Sequence, residues 1–155
     1  MEQRDNMHNG KLYDPNDDSV MEEQMVCLDR LYDFNQTRPS EMDKRNAIMK
    51  EMMGDVGKDC YIEPPFHANW GGKHVHFGDG VYANFGLTCV DDTHIYVGSH
   101  TLFGPNVVLA TAGHPMMPEC ANMASSTICR SISGRIAGWE PELSLCRVLR
   151  SGTMS

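Results

Sequence analysis

One histidine in the last third of the chain is the first candidate for chemistry. His114 stands in the sequence A-T-A-G-H-P, between a glycine and a proline, where a rigid turn could present its ring outward. A neutral imidazole has an ordinary pKa of about 6.5, so it can take a proton from a hydroxyl group near working pH. Because a single loop histidine is more often a solvated surface residue, its role depends on the elements around it.

Three further histidines, His67, His74 and His76, raise the question of a metal site. Alternation along a strand with an inward Val75 would place His74 and His76 on one outer face, which explains their spacing without a metal. The six cysteines contain no C-x-x-C pair, so a zinc knuckle is not indicated. We therefore predict free thiols and no metal site.

Composition narrows the classes of partner. A length of 155 residues is typical of one domain. The formal net charge of −8 argues against binding to a nucleic acid backbone. No apolar run approaches the roughly 20 residues that a membrane span needs, and the first residues lack the apolar region of a signal peptide. These features predict a cytoplasmic protein without a membrane partner.

Residues 1–58 are predicted to form a helical N-terminal cap. Ser19 followed by Glu22 has the spacing of a capping box at a helix start. The inner face of this helix is predicted from apolar residues at spacings of four, three and four: Met21, Met25, Leu28 and Tyr32. A second apolar stripe, ending at Gly54, contains Met42, Ile48, Met49, Met52 and Met53.

Residues 59–119 follow a period of six, which matches neither a helix nor an ordinary strand. Ile95 and Tyr96 interrupt the count. The first position of each hexad is apolar: Phe77, Ala83, Cys89, Val97, Phe103 and Leu109. Such a period is typical of a β-helix, in which each hexad forms one side of a triangular coil and the first side chain points inward. Corners favour residues that tolerate positive φ, such as glycine and asparagine.

Several short motifs together resemble one protein family. They include Y-D-F-N-x-T-x-P-S at 32–40, Y-I-E-P-P-F at 61–66, V-Y-A-N-F at 81–85 and A-T-A-G-H-P at 110–115. Over roughly residues 8–119 the chain resembles the maltose and galactoside O-acetyltransferases of the hexapeptide-repeat superfamily. The resemblance implies a mainly β fold: a left-handed parallel β-helix with a helical N-terminal cap, assembled as a homotrimer.

The same resemblance implies the reaction and its residues. Acetyl-CoA would be the donor and a sugar hydroxyl the acceptor, with His114 as the general base and no metal. The acceptor contacts would be Tyr82, Asn84 and Asp92, and Asp14 or Asp17 in the N-terminal arm would also reach the acceptor. Residues that contact CoA are not identified.

Residues 120–155 lose the hexad period and differ from the family's continuation. Ala121–Ser155, back-translated with freely chosen synonymous codons and read two nucleotides later, yields a continuous peptide containing W-L-G and V-T-I-G-D-N, which fits the family. Some positions are forced by the genetic code: Met123-Ala124 and Trp139-Glu140 must each give glycine. We therefore hypothesise a frameshift near residue 120 and an aberrant tail.

Two other functions compete with sugar acetylation. A γ-class carbonic anhydrase uses the same solenoid with three histidines on zinc, but it expects a second histidine shortly after a G-H pair, and P-M-M-P-E follows His114. A non-catalytic β-helix that only assembles with other copies is the second alternative. It stays open because the coils predicted here are about the three that a solenoid needs.

Overall fold

Three helices precede a short solenoid of parallel strands. The computed structural model describes residues 2–9, 11, 13–113 and 127–128. The helices are α1 (Glu2–His8), α2 (Asp18–Asn35) and α3 (Met42–Met52). The strands are β1 (Asp55–Val56), β2 (Tyr61–Ile62), β3 (His67–Ala68), β4 (Val75–Phe77), β5 (Tyr82–Ala83), β6 (Thr88–Val90), β7 (Ile95–Val97), β8 (Leu102–Phe103), β9 (Val108–Ala110), β10 (Ala112–Gly113) and β11 (Thr127–Ile128).

The strands wind into a three-sided coil. One side is the parallel sheet β1-β4-β7, the second is β2-β5-β8 and the third is β3-β6-β9. Successive strands of the chain belong to successive sides, so each turn of the coil visits all three sheets before it stacks on the previous turn. The described residues therefore form the predicted mainly β fold, a left-handed parallel β-helix with a helical N-terminal cap.

The side chains at the first hexad position fill the interior of the coil, as the period predicted. None of them is more than 6% exposed: Phe77, Ala83, Cys89, Val97, Phe103 and Leu109. Val81 and Leu87, at the fifth position, are also fully buried. Burial of these apolar side chains in a narrow interior is the main force that holds the coils together.

Positive φ angles recur where corners of consecutive coils stack. Asp59, Gly80 and His100 have φ angles of 55°, 64° and 61°, and Gly86 and Asn106 have 78° and 58°. The glycines and Asn106 confirm the predicted preference for residues that tolerate this conformation. Asp59 and His100 adopt it without being glycine or asparagine.

The two residues that interrupt the hexad count lie in a strand. Ile95 and Tyr96, which were predicted to break the count, belong to β7 and pair with Val75 and His76 of β4. The corner before them, Asp91–His94 between β6 and β7, has four residues, as do the corners 78–81 and 98–101.

Helix α2 presents a different face to the coil from the predicted one. Its buried residues are Val20, Cys27, Leu31 and Phe34. Met21, Met25 and Tyr32 of the predicted face are 44%, 56% and 65% exposed, so that prediction was wrong.

A tie to the first coil sets the rotation of α2. The Asn35 amide donates to the Phe66 carbonyl and accepts from its N–H, both at 2.8 Å. The Phe34 ring then packs edge-on against Phe66 at 6.4 Å. The start of α2 also differs from the prediction, since Asp17 is its N-cap and accepts from Ser19 N–H.

Helix α3 follows its predicted stripe more closely. Met49, Met52 and the following Met53 are buried.

β1 begins just after α3, and Asp55–Val56 already pairs with β4, so the solenoid starts before residue 59. At the other end, Thr127–Ile128 pairs antiparallel with β10. Within the described ranges, no helix combines the length and apolar character needed to cross a bilayer.

Candidate functional site

Asp92 is the most enclosed of the predicted acceptor residues. It lies in the corner after β6 and is 6% exposed. One carboxylate oxygen accepts from the Tyr13 hydroxyl at 2.5 Å, and the other accepts from the Asn69 amide at 2.7 Å. Tyr13 comes from the N-terminal arm, which we define as residues 2–13, so the arm covers this carboxylate. Sequence reasoning missed Asn69 and missed that Tyr13, part of the G-K-L-Y-D segment, would contact Asp92.

Asp91, next to Asp92, ties the corner that carries both residues to the preceding coil. Asp91 is fully buried and accepts from the backbone N–H groups of Trp70 at 2.7 Å, Gly72 at 3.1 Å and His74 at 3.5 Å. Burial raises the pKa of Asp91 to about 6, against the effect of these hydrogen bonds. Asp91 therefore fixes the position of Asp92 by tying its corner to the corner of the preceding coil.

The next coil stacks on the Asp92 corner through Thr111. The Thr111 hydroxyl accepts from Thr93 N–H at 3.1 Å and donates to the Val90 carbonyl at 2.8 Å. Ala112–Gly113 follows as β10 and leads directly into His114. His114 itself lies outside the described residues, so its role stays a prediction.

Tyr82 and Asn84 lie on a different side of the coil from Asp92, in β5 and directly after it. Tyr82 is on β5, the second side of the coil, 38% exposed, with Leu102 beside it on β8. Asn84 follows β5, and its side-chain oxygen accepts from the N–H of Phe85 at 2.8 Å. Because Asp92 follows a strand of the third side, one copy of the chain does not bring Asn84 and Asp92 to the same vertex.

A buried arginine fixes the ring beneath Tyr82. Tyr61 stacks in parallel on Tyr82 with a centroid distance of 5.9 Å and an interplanar angle of 8°. Its hydroxyl donates to the Glu63 carboxylate at 2.7 Å and accepts from the Arg45 guanidinium at 3.2 Å. The hydrogen bond to Glu63 raises the pKa of Tyr61. No sequence signal singled out Tyr61 or Arg45, because a long-range contact assembles them.

Asp14 and Asp17 lie in the turn between the arm and α2. The Asp17 carboxylate accepts from the N–H and the hydroxyl of Ser19, and the bond to the hydroxyl lowers its pKa. Asp14 accepts from Asn16 N–H at 2.9 Å. Both carboxylates thus serve local turn geometry here, and their predicted contact with an acceptor is untested.

Of the three histidines first considered for a metal, His67 lies apart from the other two. His67 is exposed on β3. His74 is buried and lies against Trp70 with ring centroids 5.3 Å apart, whereas His76 bonds to Asp55 at 2.7 Å. The predicted shared outer face therefore holds only in part, because the arm and the corner after β3 cover His74. Among the described ranges, no group of three or more histidine, cysteine or acidic side chains is arranged to hold a metal ion.

Comparison with known proteins adds an independent observation. The family pattern described as the maltose acetyltransferase hexapeptide capping motif matches residues 6–57. The chain is 50% identical over 113 residues to a galactoside O-acetyltransferase of Lactococcus lactis, which covers 73% of this chain and 55% of that protein. It is 38% identical over 110 residues to a galactoside O-acetyltransferase of Escherichia coli, covering 71% and 54%. The chain thus spans about half the length of these curated relatives.

Two solved structures resemble the fold. A galactoside acetyltransferase in complex with coenzyme A superposes with a TM-score of 0.78 at 34% identity, covering 83% of this chain and 64% of that one. A maltose O-acetyltransferase from Clostridium difficile 630 superposes with a TM-score of 0.80 at 29% identity, covering 83% and 68%.

Proposed function

This chain belongs to the hexapeptide-repeat family of the maltose and galactoside O-acetyltransferases, and we propose that it transfers an acetyl group from acetyl-CoA to a sugar hydroxyl. Its relatives are named for that acceptor class, and one similar structure holds coenzyme A. The proposal includes no metal and no nucleic acid partner.

In this reaction His114 would act as the general base. It would take the proton of the acceptor hydroxyl while that oxygen attacks the thioester carbon, forming a tetrahedral oxyanion stabilised by hydrogen-bond donors. Collapse of this species breaks the carbon–sulfur bond, and the CoA thiolate leaves with the proton held by His114. The products are the acetylated sugar and free CoA.

The observation that carries the proposal is the stacking of two corners. Asp92 lies in one, and the segment that runs into His114 leaves the next, with Thr111 bonded to both Val90 and Thr93. A carboxylate at this corner, and a base carried by the segment that continues from the stacked corner, would suit a reaction in which one group orients a sugar hydroxyl and the other deprotonates its neighbour.

We also propose that the acceptor site is completed between copies of the chain. Tyr82 lies on a strand of the second side and Asn84 follows that strand, whereas Asp92 follows a strand of the third side. A homotrimer, in which the second side of one copy meets the third side of the next, would unite them. The turn between the arm and α2, which carries Asp14 and Asp17, would then border the same cleft. Cys27, Cys60 and Cys89 are unpaired, which agrees with a reducing cytoplasm as the proposed location.

A second candidate is a non-catalytic β-helix that only assembles with other copies. The observation in its favour is that residues 120–155 do not continue the hexad period. The frameshift hypothesis makes the same point, because residues 120–155 would then replace coils that an active protein needs.

The test compares acetyl transfer by this chain and by a version with the alternative reading frame restored after residue 120. Free CoA is measured with a thiol reagent, using a galactoside, a glucoside and maltose as acceptors. We expect acceptor-dependent turnover from the restored version and its loss, by about a thousandfold, on His114→Ala. His67→Ala is the matched control and should keep its activity.

Each outcome has a distinct meaning. Equal turnover by both versions would show that residues 120–155 do not impair the enzyme and would remove the frameshift argument. Turnover by the restored version alone would assign this chain to the assembly alternative. A restored version that forms the coil but consumes no acetyl-CoA with any acceptor would refute the proposed reaction.

A further inference from the structure

Four histidines form one continuous cluster outside the candidate acceptor site. The histidine cluster consists of His8, His74, His76 and His94. The centroid of the His8 ring lies 4.9 Å from that of His74 and 5.3 Å from that of His94, and the His74 and His94 centroids are also 5.3 Å apart. His76 Nε2 lies 2.7 Å from His94 Nδ1 in a hydrogen bond.

The cluster joins the N-terminal arm to the corner that bears Asp92. His8 is on α1, within the arm, and its Nδ1 lies 3.4 Å from the Thr93 hydroxyl. His94 is in the corner Asp91–His94, and His74 ends the corner of the preceding coil. Beside the cluster, Met7 and Tyr13 of the arm pack with Trp70 in a buried apolar group. The arm thus rests on an apolar contact at Tyr13 and an imidazole contact at His8.

The surroundings of three rings in the cluster, His8, His74 and His94, favour the neutral form. His74 Nδ1 lies 2.6 Å from the backbone carbonyl of Asp91, a contact that requires a proton on Nδ1 and leaves Nε2 bare in the neutral ring. Burial lowers the pKa of His74 to about 4. Burial is also the main cause that lowers the pKa values of His8 and His94, followed by Lys73 for His8 and by His76 for His94.

Few negative groups offset added protons. Asp5 on α1 faces His8, and Asp55 on β1 bonds to His76 Nδ1 at 2.7 Å. The buried Asp91 carboxylate lies below His74, 3.5 Å from its N–H. The cations nearby are Arg4 and Lys73, both paired with Glu23 of α2. The remaining titratable ring is Tyr96, which stacks on His76 and His94.

We propose that the histidine cluster is a proton-sensitive contact that holds the N-terminal arm over Asp92 at neutral pH and releases it when the cluster is protonated. Protons added to imidazoles that touch one another, next to Lys73 and Arg4, create repulsion across the joint between α1 and the coil. The released arm would carry Tyr13 away from Asp92 and open that carboxylate to solvent or to an acceptor.

The sign follows from the pKa directions. Burial lowers the pKa values of His8, His74 and His94 below 6.5, and the part of this burial that the arm provides is lost on release, so the released state binds protons more tightly than the docked state does. The docked state is therefore fully stable above pH 6.5 and loses stability as the pH falls toward about 4. The arm is a small contact that can open without unfolding the coil.

Hydrogen exchange of the arm tests this directly on the full chain, without any need for activity. Peptides covering residues 2–13 are followed by mass spectrometry at about pH 7.5 and about pH 5, with rates corrected for intrinsic exchange and with EDTA present to exclude a bound metal. The hydrogen bonds from Asn9 and Lys11 to Asn6 report the docked arm. We expect protection to fall roughly tenfold or more at the lower pH, while peptides from β4 and β7 stay protected.

Matched variants separate the cluster from a general effect of acid. The triple variant His8→Gln, His74→Gln and His94→Gln keeps polar side chains but cannot take up these protons, so its arm protection should change less than about threefold. His67→Gln removes an exposed histidine outside the cluster and should behave as wild type. If β4 of the triple variant is not protected from exchange at neutral pH, that variant is not folded. The single variant His8→Gln, at an exposed position, is then used instead, and the effect of pH on its arm protection should be weaker by at least about threefold.

Two results would overturn the inference. One is equal protection of the wild-type arm at both pH values. The other is an undiminished loss of protection at low pH in the folded triple variant or, where that variant is not folded, in His8→Gln. Neither result depends on whether the protein acetylates sugars, so failure here and failure of the proposed function are distinguishable.

Discussion

Replacing Asp91 with asparagine tests how the corner beside the candidate site is stabilised. The side chain is fully buried, and its two oxygens accept from the N–H groups of Trp70 and Gly72. Burial disfavours the carboxylate, whereas these N–H donors favour it. The net result is a pKa raised from 3.8 to about 6, so burial outweighs the hydrogen bonds.

The magnitude follows from the size of that shift. Because the folded protein holds the Asp91 proton more tightly than the unfolded chain does, this contribution to stability is complete below pH 3.8 and is lost as the pH rises through about 6. A pKa that is higher by about 2 in the folded protein than in the unfolded chain corresponds to about 3 kcal/mol of stability. Asparagine, like the protonated acid, has one acceptor oxygen and no charge. The stability of Asp91→Asn minus that of wild type should therefore rise by about 3 kcal/mol between about pH 4 and pH 7.

Urea unfolding of both proteins across this range measures the difference. The histidine cluster titrates in both and cancels when wild type is subtracted. Asp29→Asn, an exposed position on α2, is the control and should give a difference that does not change with pH. A flat or falling difference for Asp91→Asn would refute the reasoning, because it would mean that the N–H donors outweigh burial.

Two substitutions test the scaffold. Gly86→Ala should destabilise the protein by about 1–3 kcal/mol in urea unfolding, because φ is positive and the added Cβ would stand 2.3 Å from Asn106 Oδ1. Gly104→Ala, where no atom lies within 4 Å, should stay near wild type, and equal losses at both positions would contradict this account. Arg45→Lys should lower the free energy of unfolding by about 1–3 kcal/mol, because a lysine cannot reproduce the hydrogen bonds that Arg45 donates to the Thr37 hydroxyl and carbonyl. Thermal unfolding measures this loss, and an unchanged melting temperature would contradict it.

The hexad period predicted the fold because the interior of the coil repeats with the chain. Every sixth side chain meets the same narrow space, so the requirement for an apolar residue is local and is visible in a single sequence. Phe77, Ala83, Cys89, Phe103 and Leu109 all follow it. The corners are almost as visible, since positive φ selects glycine and asparagine.

The face of α2 could not be read in the same way. Met21, Met25 and Tyr32 have helical spacing, yet they are exposed. Both faces of this helix carry apolar residues, and periodicity alone does not choose between them. The choice comes from the hydrogen bonds between Asn35 and Phe66, which join residues 31 positions apart.

In the candidate site, too, local motifs predicted some residues and the tertiary structure decided their contacts. Short motifs predicted Tyr82, Asn84, Asp92 and His114 as site residues, because a resemblance carried by local residues is enough to name candidates. The sequence by itself thus determined the repeating coil, its inward side chains and the family. Only the tertiary structure decided that Tyr13 covers Asp92, that Asp91 ties two corners and that four histidines meet beside the arm. These contacts join residues far apart along the chain, and their energies depend on burial and on partners that no local spacing encodes.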